Sequence, residues 1–376
     1  MRVHAETSQK IPVPVNNKPF RNGTRDLVEL AVRGLEDMFD EGEQLFCHRS
    51  KLDGDKLENE GHSLRYTLIT LLGLFRFEQK GGKSPFAIES LIDSLIKRID
   101  RIDSLGDLGL MLWLCGLAAP DRIKDIRAAV PLESAIDRYK DGTQRLTVEL
   151  SWFLTGLVYA AASSAQTSSE TSRVAFTVFE ILQKNRGGEG IFGHQSPGGI
   201  TGILRGRIGC FADQVYPIYV LSKYAEIFDN KDAAALAERC ADAICAHQGE
   251  LGQWWWHYDA VSGKIRGRYP VFSVHQHAMA PMALLAAGQL TGRDYSDPIY
   301  KGVEWIRGNN ELGLNLIDSS RNRIWRSFYE SRSKILFELA YSAVLPLREN
   351  ENSRKKLMAR LECRPYCLGW LLYAFA

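Results

Sequence analysis

Apolar residues recur at i, i+3, i+4 and i+7 along Leu27–Met38, Ile88–Ile99 and Thr171–Leu182, the spacing that gathers them on one face of an α-helix. In the first of these, Arg25, Glu29, Arg33 and Glu36 fall on the opposite face. Such segments predict outer helices, half in solvent. A second kind of segment follows them, opening on a polar residue and then running almost wholly apolar. Ser63–Leu74, Leu105–Ala119, Leu146–Ala162, Asp213–Ile227, His277–Leu290, Ser333–Leu347 and Pro365–Phe375 are of this kind. A helix without a polar face has to be buried on nearly all sides. Convincing period-2 strands are scarce. The alternation of amphipathic and apolar helices predicts an all-α fold, an α/α toroid of six helical hairpins. The last pair, Asn350–Leu361 with Pro365–Phe375, is expected either to complete a seventh hairpin or to plug the ring.

The connections have a matching asymmetry. Those leading from an outer to an inner helix are long, near 40–61, 185–210, 248–272 and 308–330, whereas those leading back, around Pro120 and Asn230, are short. In an antiparallel ring all the long connections lie on one rim, together with the N-termini of the inner helices and their unpaired amides. Gly190-Ile-Phe, Gly252-Gln-Trp and Gly313-Leu-Asn repeat at intervals of 62 and 61 residues, a weak internal repeat with the period of one hairpin. The expected organisation is a loosely ordered arm over 1–22 and one toroid over 23–376.

Composition narrows the function classes. Of 376 residues, 47 are Lys or Arg and 45 are Asp or Glu, so the formal charge of +2 is too small for a phosphate-backbone binder. At 24% charged and 45% apolar the chain is globular, not disordered. No apolar run reaches membrane-span length, and the first thirty residues hold no signal-peptide run. The seven cysteines, scattered and odd in number, fit a reducing, cytoplasmic setting. No metal site and no cofactor motif is expected, and nothing fixes an oligomeric state.

Chemistry concentrates in Gly252–Met282, where Trp254, Trp255, Trp256, His257, Tyr258, Arg266, Arg268, Tyr269, His275, Gln276 and His277 crowd one loop and one helix start. Aromatic planes interleaved with polar groups suit a sugar, whose C–H faces stack and whose hydroxyls hydrogen-bond. Three consecutive tryptophans cannot all face a core. Asp259-Ala-Val-Ser-Gly263 reads as a turn. His275 and His277, two apart, cannot share a helix face, and His277 is expected to face the cavity with His275 behind it. Asp213 and Gln214 open an otherwise apolar helix. There Asp213 serves either as a helix-capping carboxylate or as a general acid/base at the cavity mouth. Other inner-helix starts supply Arg65 and Tyr66, His194 and Gln195, Arg332, and Arg364 with Tyr366. These arginines are balanced either by Glu149, Asp213, Glu330 and Glu362, or by an anionic ligand.

Two resemblances rest on these residues. Gln248-xxx-Gly252-Gln-Trp254 matches the QxxxGxW pattern of terpenoid cyclases, which share the toroid plan, but no DxDD or DDxxD motif accompanies it. Asp213-Gln-Val-Tyr-Pro-Ile-Tyr-Val-Leu-Ser-Lys-Tyr-Ala-Glu, followed by Gly252-Gln-Trp-Trp-Trp-His-Tyr-Asp, resembles a helix and a loop of the unsaturated glucuronyl and rhamnogalacturonyl hydrolases. Those six-hairpin toroids hydrate the C4=C5 double bond of an unsaturated uronic acid. The resemblance covers residues 211–290 and implies an acid at Asp213 and a loop histidine at His257. Where that family has R-G-N-G-W, this chain has Ser273-Val-His-Gln-His-Ala-Met-Ala-Pro. The expected function is a carbohydrate-active enzyme (hydrolase, lyase or epimerase) on an oligosaccharide, with Asp213, His257 and His277 catalytic. A terpenoid-cyclase-like toroid and a non-catalytic glycan-binding toroid are the alternatives. A terpene cavity would be lined almost purely by aromatic and aliphatic groups, and a sugar site by several polar tips.

Overall fold

The computed structural model describes residues 18–138, 146–163, 168–196, 206–331 and 357–376. Six apolar helices form the inner ring: α2 (Leu64–Gln79), α4 (Leu105–Ala118), α7 (Thr147–Ser163), α9 (Ala212–Phe228), α11 (Ala280–Thr291) and α13 (Pro365–Phe375). A π-helical turn, His275–Met279, precedes α11. Each inner helix packs on the next, and α13 packs back on α2 to close the circle. The outer layer comprises α1 (Lys18–Glu36), α3 (Ile88–Ile96), α5 (Ile123–Ala129), α6 (Leu132–Arg138), α8 (Ser168–Gln183), α10 (Lys231–Ala246) and α12 (Ser296–Ile306). Their one-sided apolar stripes face inward: Leu27, Leu30, Ala31 and Leu35 of α1 are buried, while Arg25 and Glu29 pair in solvent. No helix among the described residues is long and apolar enough to cross a membrane.

The ring is the α/α toroid that the apolar pattern predicts, and among the described residues α13 is its sixth inner helix, packed between α11 and α2. Leu357–Arg360, expected as helix, is instead a strand. The expected inner helix Ser333–Leu347 lies outside the described residues. Helix α1 starts at Lys18, inside the segment expected as an arm, and residues 1–17 are likewise outside the described residues.

The rim also carries short strands, which the apolar pattern does not announce. The long connections carry β1 (Phe39–Asp40), β2 (Leu45–Asp53), β3 (Lys56–His62), β4 (Ile208–Cys210), β5 (His257–Asp259), β6 (Ile265–Gly267), β7 (Val271–Phe272), β8 (Ile317–Asp318), β9 (Arg323–Ile324), β10 (Ser327–Glu330), β11 (Leu357–Arg360) and β12 (Glu362–Cys363). They pair across connections: β2 with β12, β4 with β5, and β7 and β11 with β10. Small antiparallel ladders thus stitch the loops of one rim together and satisfy their backbone groups. Arg323, 1% exposed, clamps the seam by donating to the carbonyl of Gly34 in the last turn of α1 and to Ser50 Oγ on β2.

The internal repeat has a physical basis. Gly190, Gly252 and Gly313 all stand at positive φ (80°, 97° and 60°), where a side chain is disfavoured. Two residues beyond the first two, the N–H groups of Phe192 and Trp254 donate to Gln214 Oε1 (2.8 Å) and Gln276 Oε1 (3.2 Å). The same glutamine brace therefore recurs one hairpin later.

Closure of the ring depends on glycine. A methyl group on Gly73 of α2 would collide with the carbonyl of Gly369 on α13, and one on Gly369 would lie 2.7 Å from Thr70 Cα. Gly109 of α4 and Gly156 of α7 are jammed against each other's helix in the same way. Mid-helix glycine costs about 0.5–1 kcal/mol relative to alanine, so its use here marks backbones in contact. Gly369→Ala is expected to destabilise the protein by about 1–3 kcal/mol, the range for overpacking, despite the better helix propensity of alanine. Urea unfolding measures it, and a neutral or stabilising outcome would show that the seam can spread.

Candidate functional site

The inner helices are apolar along their middles, so their polar residues collect at the ends: Arg76 of α2 and the Lys223–Glu226 pair of α9 toward the C-terminal ends, and the residues that follow at the N-terminal ends, on the stitched rim. Going round it, Arg65 at the start of α2 reaches Asp107 of α4 (Nε to Oδ1 2.5 Å) and Ser104 Oγ (2.9 Å), with Glu149 of α7 at 3.7 Å. Arg65 also lies over the Trp152 ring. Burial pushes the Glu149 carboxyl up, against the pull of Arg65. Next come His194, Cys210, Asp213 and His257. Asp213 is fully buried. Its Oδ2 accepts from the Cys210 N–H (2.8 Å) and sits 3.1 Å from His194 Nδ1. Its Oδ1 is buried without a hydrogen-bond partner. Asp213 is not the N-cap of α9, whose cap position, Phe211, makes no side-chain bond; it ties the first turn of α9 to β4 through Oδ2 and leaves Oδ1 without a hydrogen-bond partner. His257, directly across the ladder from Cys210, is held down to about pKa 4 by burial, against the pull of Asp213. It is a neutral imidazole at neutral pH.

The opposite arc is cationic. Glu362 on β12 receives Arg49 (3.5 Å), Arg326 (3.0 Å) and Arg364 (3.3 Å), while Arg49 is also paired with Glu60. Arg364 donates to Tyr66 Oη (2.8 Å). Tyr66 stacks on His48 (5.4 Å, 15°) and packs at a tilt against Tyr366 (4.6 Å, 38°). Arg326 lies over the Phe272 ring. Most of the arginines are therefore balanced by rim carboxylates. Glu362, not Asp213, carries the larger share.

The aromatic loop is only partly a surface. Trp254 is fully buried and stacked on Phe211 (5.5 Å), and Trp255 is buried edge-on to Tyr269. Tyr269 in turn donates to Glu311 (2.7 Å). Trp256 alone of the three is partly exposed, its plane parallel to His275 (5.7 Å, 8°). Adjacent residues here divide between core and rim, as three in a row must.

Several residues expected to touch substrate belong instead to the framework. Gln214 spends its amide on the backbone of Phe192 and Cys210, and Gln276 spends its own on Trp254 and Phe272. His275 is enclosed by Phe211, Phe272 and Trp256. His277, expected to face the cavity, is fully buried beside the backbone of Ser273 and Cys367. The π turn His275–Met279 shifts the helical phase just here, so both histidines turn into the wall. Arg332 lies outside the described residues. Asp259 forms the turn expected of it, accepting from the Val261 and Ser262 amides.

His48, Cys210 and Arg326 carry no local signal: Cys210 and Arg326 sit on or beside strands of two to four residues, and His48 on β2, which lacks strict alternation. Asp107 did carry a signal: Ser104, whose Oγ accepts the Asp107 N–H (3.0 Å), precedes it by three residues, the spacing of a capping box.

No protein-family model matches the sequence, and no curated protein matches it. Solved structures do. The chain is similar to a possible member of the GH105 family from Klebsiella pneumoniae, with TM-score 0.60 at 12% identity over 100% of this chain and 97% of that one. It is also similar to an unsaturated glucuronyl hydrolase specific for heparin (0.57, 14%, 96% of each). A third is the unsaturated glucuronyl hydrolase of a Bacillus species described as responsible for glycosaminoglycan degradation (0.55, 15%, 94% and 95%). What these likenesses establish is a common fold, the α/α toroid of six-hairpin glycosidases.

Burial holds His275 at about pKa 3 and His277 at about 4, below the ordinary 6.5 or so. The folded state therefore favours their neutral forms. The stability they contribute is full above pH 6.5 and is lost as pH falls through the window from 6.5 toward 4. Each contributes a slope of up to about 1.4 kcal/mol per pH unit there. Urea midpoints taken at pH 7, 6 and 5 should fall accordingly, and His277→Leu should flatten the profile; an unchanged slope would mean that His277 is not held neutral.

Proposed function

We propose that the protein is a carbohydrate-active enzyme using general acid/base catalysis at this rim, on an oligosaccharide that presents a uronate. The observation that carries the reading is Asp213: fully buried, one oxygen fixed by the Cys210 N–H and facing His194, the other uncommitted. A carboxyl group so placed holds its geometry through Oδ2 and exchanges a proton through Oδ1. Neutral His257 stands beside it, suited to orient a hydroxyl or a water. Across the mouth, Arg364 and Tyr66 present a guanidinium and a phenol, the donors that a sugar carboxylate takes. Trp256 offers the partly exposed ring for stacking on a sugar face.

The neighbours named above as unsaturated glucuronyl hydrolases share this architecture, which supports unsaturated uronyl sugars as the first substrates to try. The polar lining, with Arg65, Asp107, Glu149, His194 and Asp213 on one arc, weighs against a terpene cavity.

Unsaturated uronyl disaccharides lose their ultraviolet absorbance when the double bond is hydrated. Asp213→Asn, which preserves shape and the Cys210 contact, should reduce kcat by about 10²–10⁴-fold, the usual weight of a general acid/base. Retained turnover would remove Asp213 from the mechanism. Arg364→Ala should raise KM at least about tenfold for uronyl substrates, in line with loss of a charged hydrogen bond worth about 1.5–3 kcal/mol, and leave neutral disaccharides unaffected. An equal loss on both would show that Arg364 only supports the fold.

A further inference from the structure

The atoms around Asp213 also form a donor set of a different kind. His194 Nδ1, Cys210 Sγ and an Asp213 carboxylate oxygen all lie within 4.8 Å of one another. They come from three places in the chain: the loop after α8, the end of β4 and the first turn of α9. A tetrahedral ion bound at about 2.0–2.3 Å holds its ligand atoms roughly 3.3–3.8 Å apart. The His194–Asp213 separation of 3.1 Å is already close to that, and small side-chain rotations bring in the thiol. An independent sign points to a ligand here. Asp213 is 0% exposed, yet its Oδ1 has no hydrogen-bond partner, and a buried carboxylate oxygen left unsatisfied is costly. Access is from the rim, where the His194 side chain is 36% exposed and Cys210 is partly so.

We propose that His194, Cys210 and Asp213 form a binding site for a thiophilic divalent cation of the zinc class. One imidazole, one thiolate and one carboxylate suit a borderline-soft ion and not magnesium or calcium, which take oxygen ligands. Three protein ligands leave a fourth position for water. Binding replaces the Cys210 S–H by a metal–sulfur bond and releases that proton to solvent. It also occupies the carboxylate that the glycosidase reading uses as acid/base, so a bound ion would inhibit that chemistry. The site itself stands on the donor geometry and not on that reading.

Cobalt(II) titrated into the purified full-length protein under reducing conditions provides the test. A saturable, one-equivalent thiolate-to-cobalt charge-transfer band is expected, displaced by zinc. It should vanish in Cys210→Ser, and affinity should weaken at least about tenfold in His194→Gln, since even loss of a group that only orients a ligand costs that much. Near-ultraviolet circular dichroism checks that the variants are folded. If Cys210→Ser is unfolded, the cobalt d–d spectrum of the unmodified protein decides, since a tetrahedral sulfur-containing set absorbs far more intensely than an octahedral aquo ion. Absence of the band, or its persistence in folded Cys210→Ser, overturns the proposal. Turnover of unsaturated disaccharides is assayed in parallel with zinc and with chelator. Cobalt binding without any turnover would sink the glycosidase reading alone, and turnover without cobalt binding would sink the metal site alone.

Discussion

Six helices with no polar face can be buried only by one another, and that constraint organises the molecule. The ring they make leaves their flanks no contact with water, so charge is admissible only at their ends. Leu108, Leu110, Met111, Leu112, Trp113 and Leu114 of α4 are all fully buried, whereas Asp107, in the first turn, is paired with Arg65. The same division recurs on α9, where Asp213 precedes Val215, Ile218, Val220 and Leu221. Close approach at the seams, Gly73 against Gly369 and Gly109 against Gly156, is what lets the circle close without leaving a wide apolar bore. Packing alone thereby drives the charged groups of the inner helices to their ends.

That rim is held by more than its helices. Its connections come from segments far apart in sequence, yet β2 pairs with β12 and β7 with β10, and the Gln214 and Gln276 braces tie successive loops to successive helices. Backbone groups in long loops must be satisfied if the loops are to be buried, and here they satisfy one another. A side effect is that residues such as Arg49, Arg326, Glu362 and Arg364 meet around one carboxylate although the chain separates the first from the last by most of its length.

This explains what could be read in the sequence and what could not. The inner helices were legible because an all-apolar run has one physical outcome; Pro365–Phe375 was bounded to the residue. Asp213 was legible as a carboxylate heading such a run. The strands were not: most are pieces of two to four residues, too short for period-2 alternation to register, and the two longer ones, β2 and β3, are not buried in strict alternation. With them went His48, Cys210 and Arg326, whose meaning lies entirely in long-range pairing. The aromatic loop was recognisable as rim, but which rings turn inward is decided elsewhere: the Trp254 backbone is pinned by Gln276, which forces its side chain onto Phe211. His277 was assigned to the cavity on regular helical phase, and the π turn removes that phase.

The rim carboxylates are not equivalent, and the difference is electrostatic. Asp107 and Glu149 share Arg65, and Glu362 lies among three arginines. Their charges are neutralised within the protein, and separating Arg65 from its carboxylates would strand a charge in a poorly solvated site, whereas the three guanidiniums around the one Glu362 carboxylate leave positive charge over for a ligand. Asp213 differs: among the described residues it has no arginine or lysine partner, only an N–H and an imidazole. The positive end of the α9 dipole favours a negative charge at that position, but the compensation is partial and leaves one oxygen free. An acid that exchanges protons and a ligand that captures a cation both need this: a carboxylate fixed in place yet not already spent. Of these four rim carboxylates, Asp107, Glu149 and Glu362 are spent on arginine and Asp213 is not.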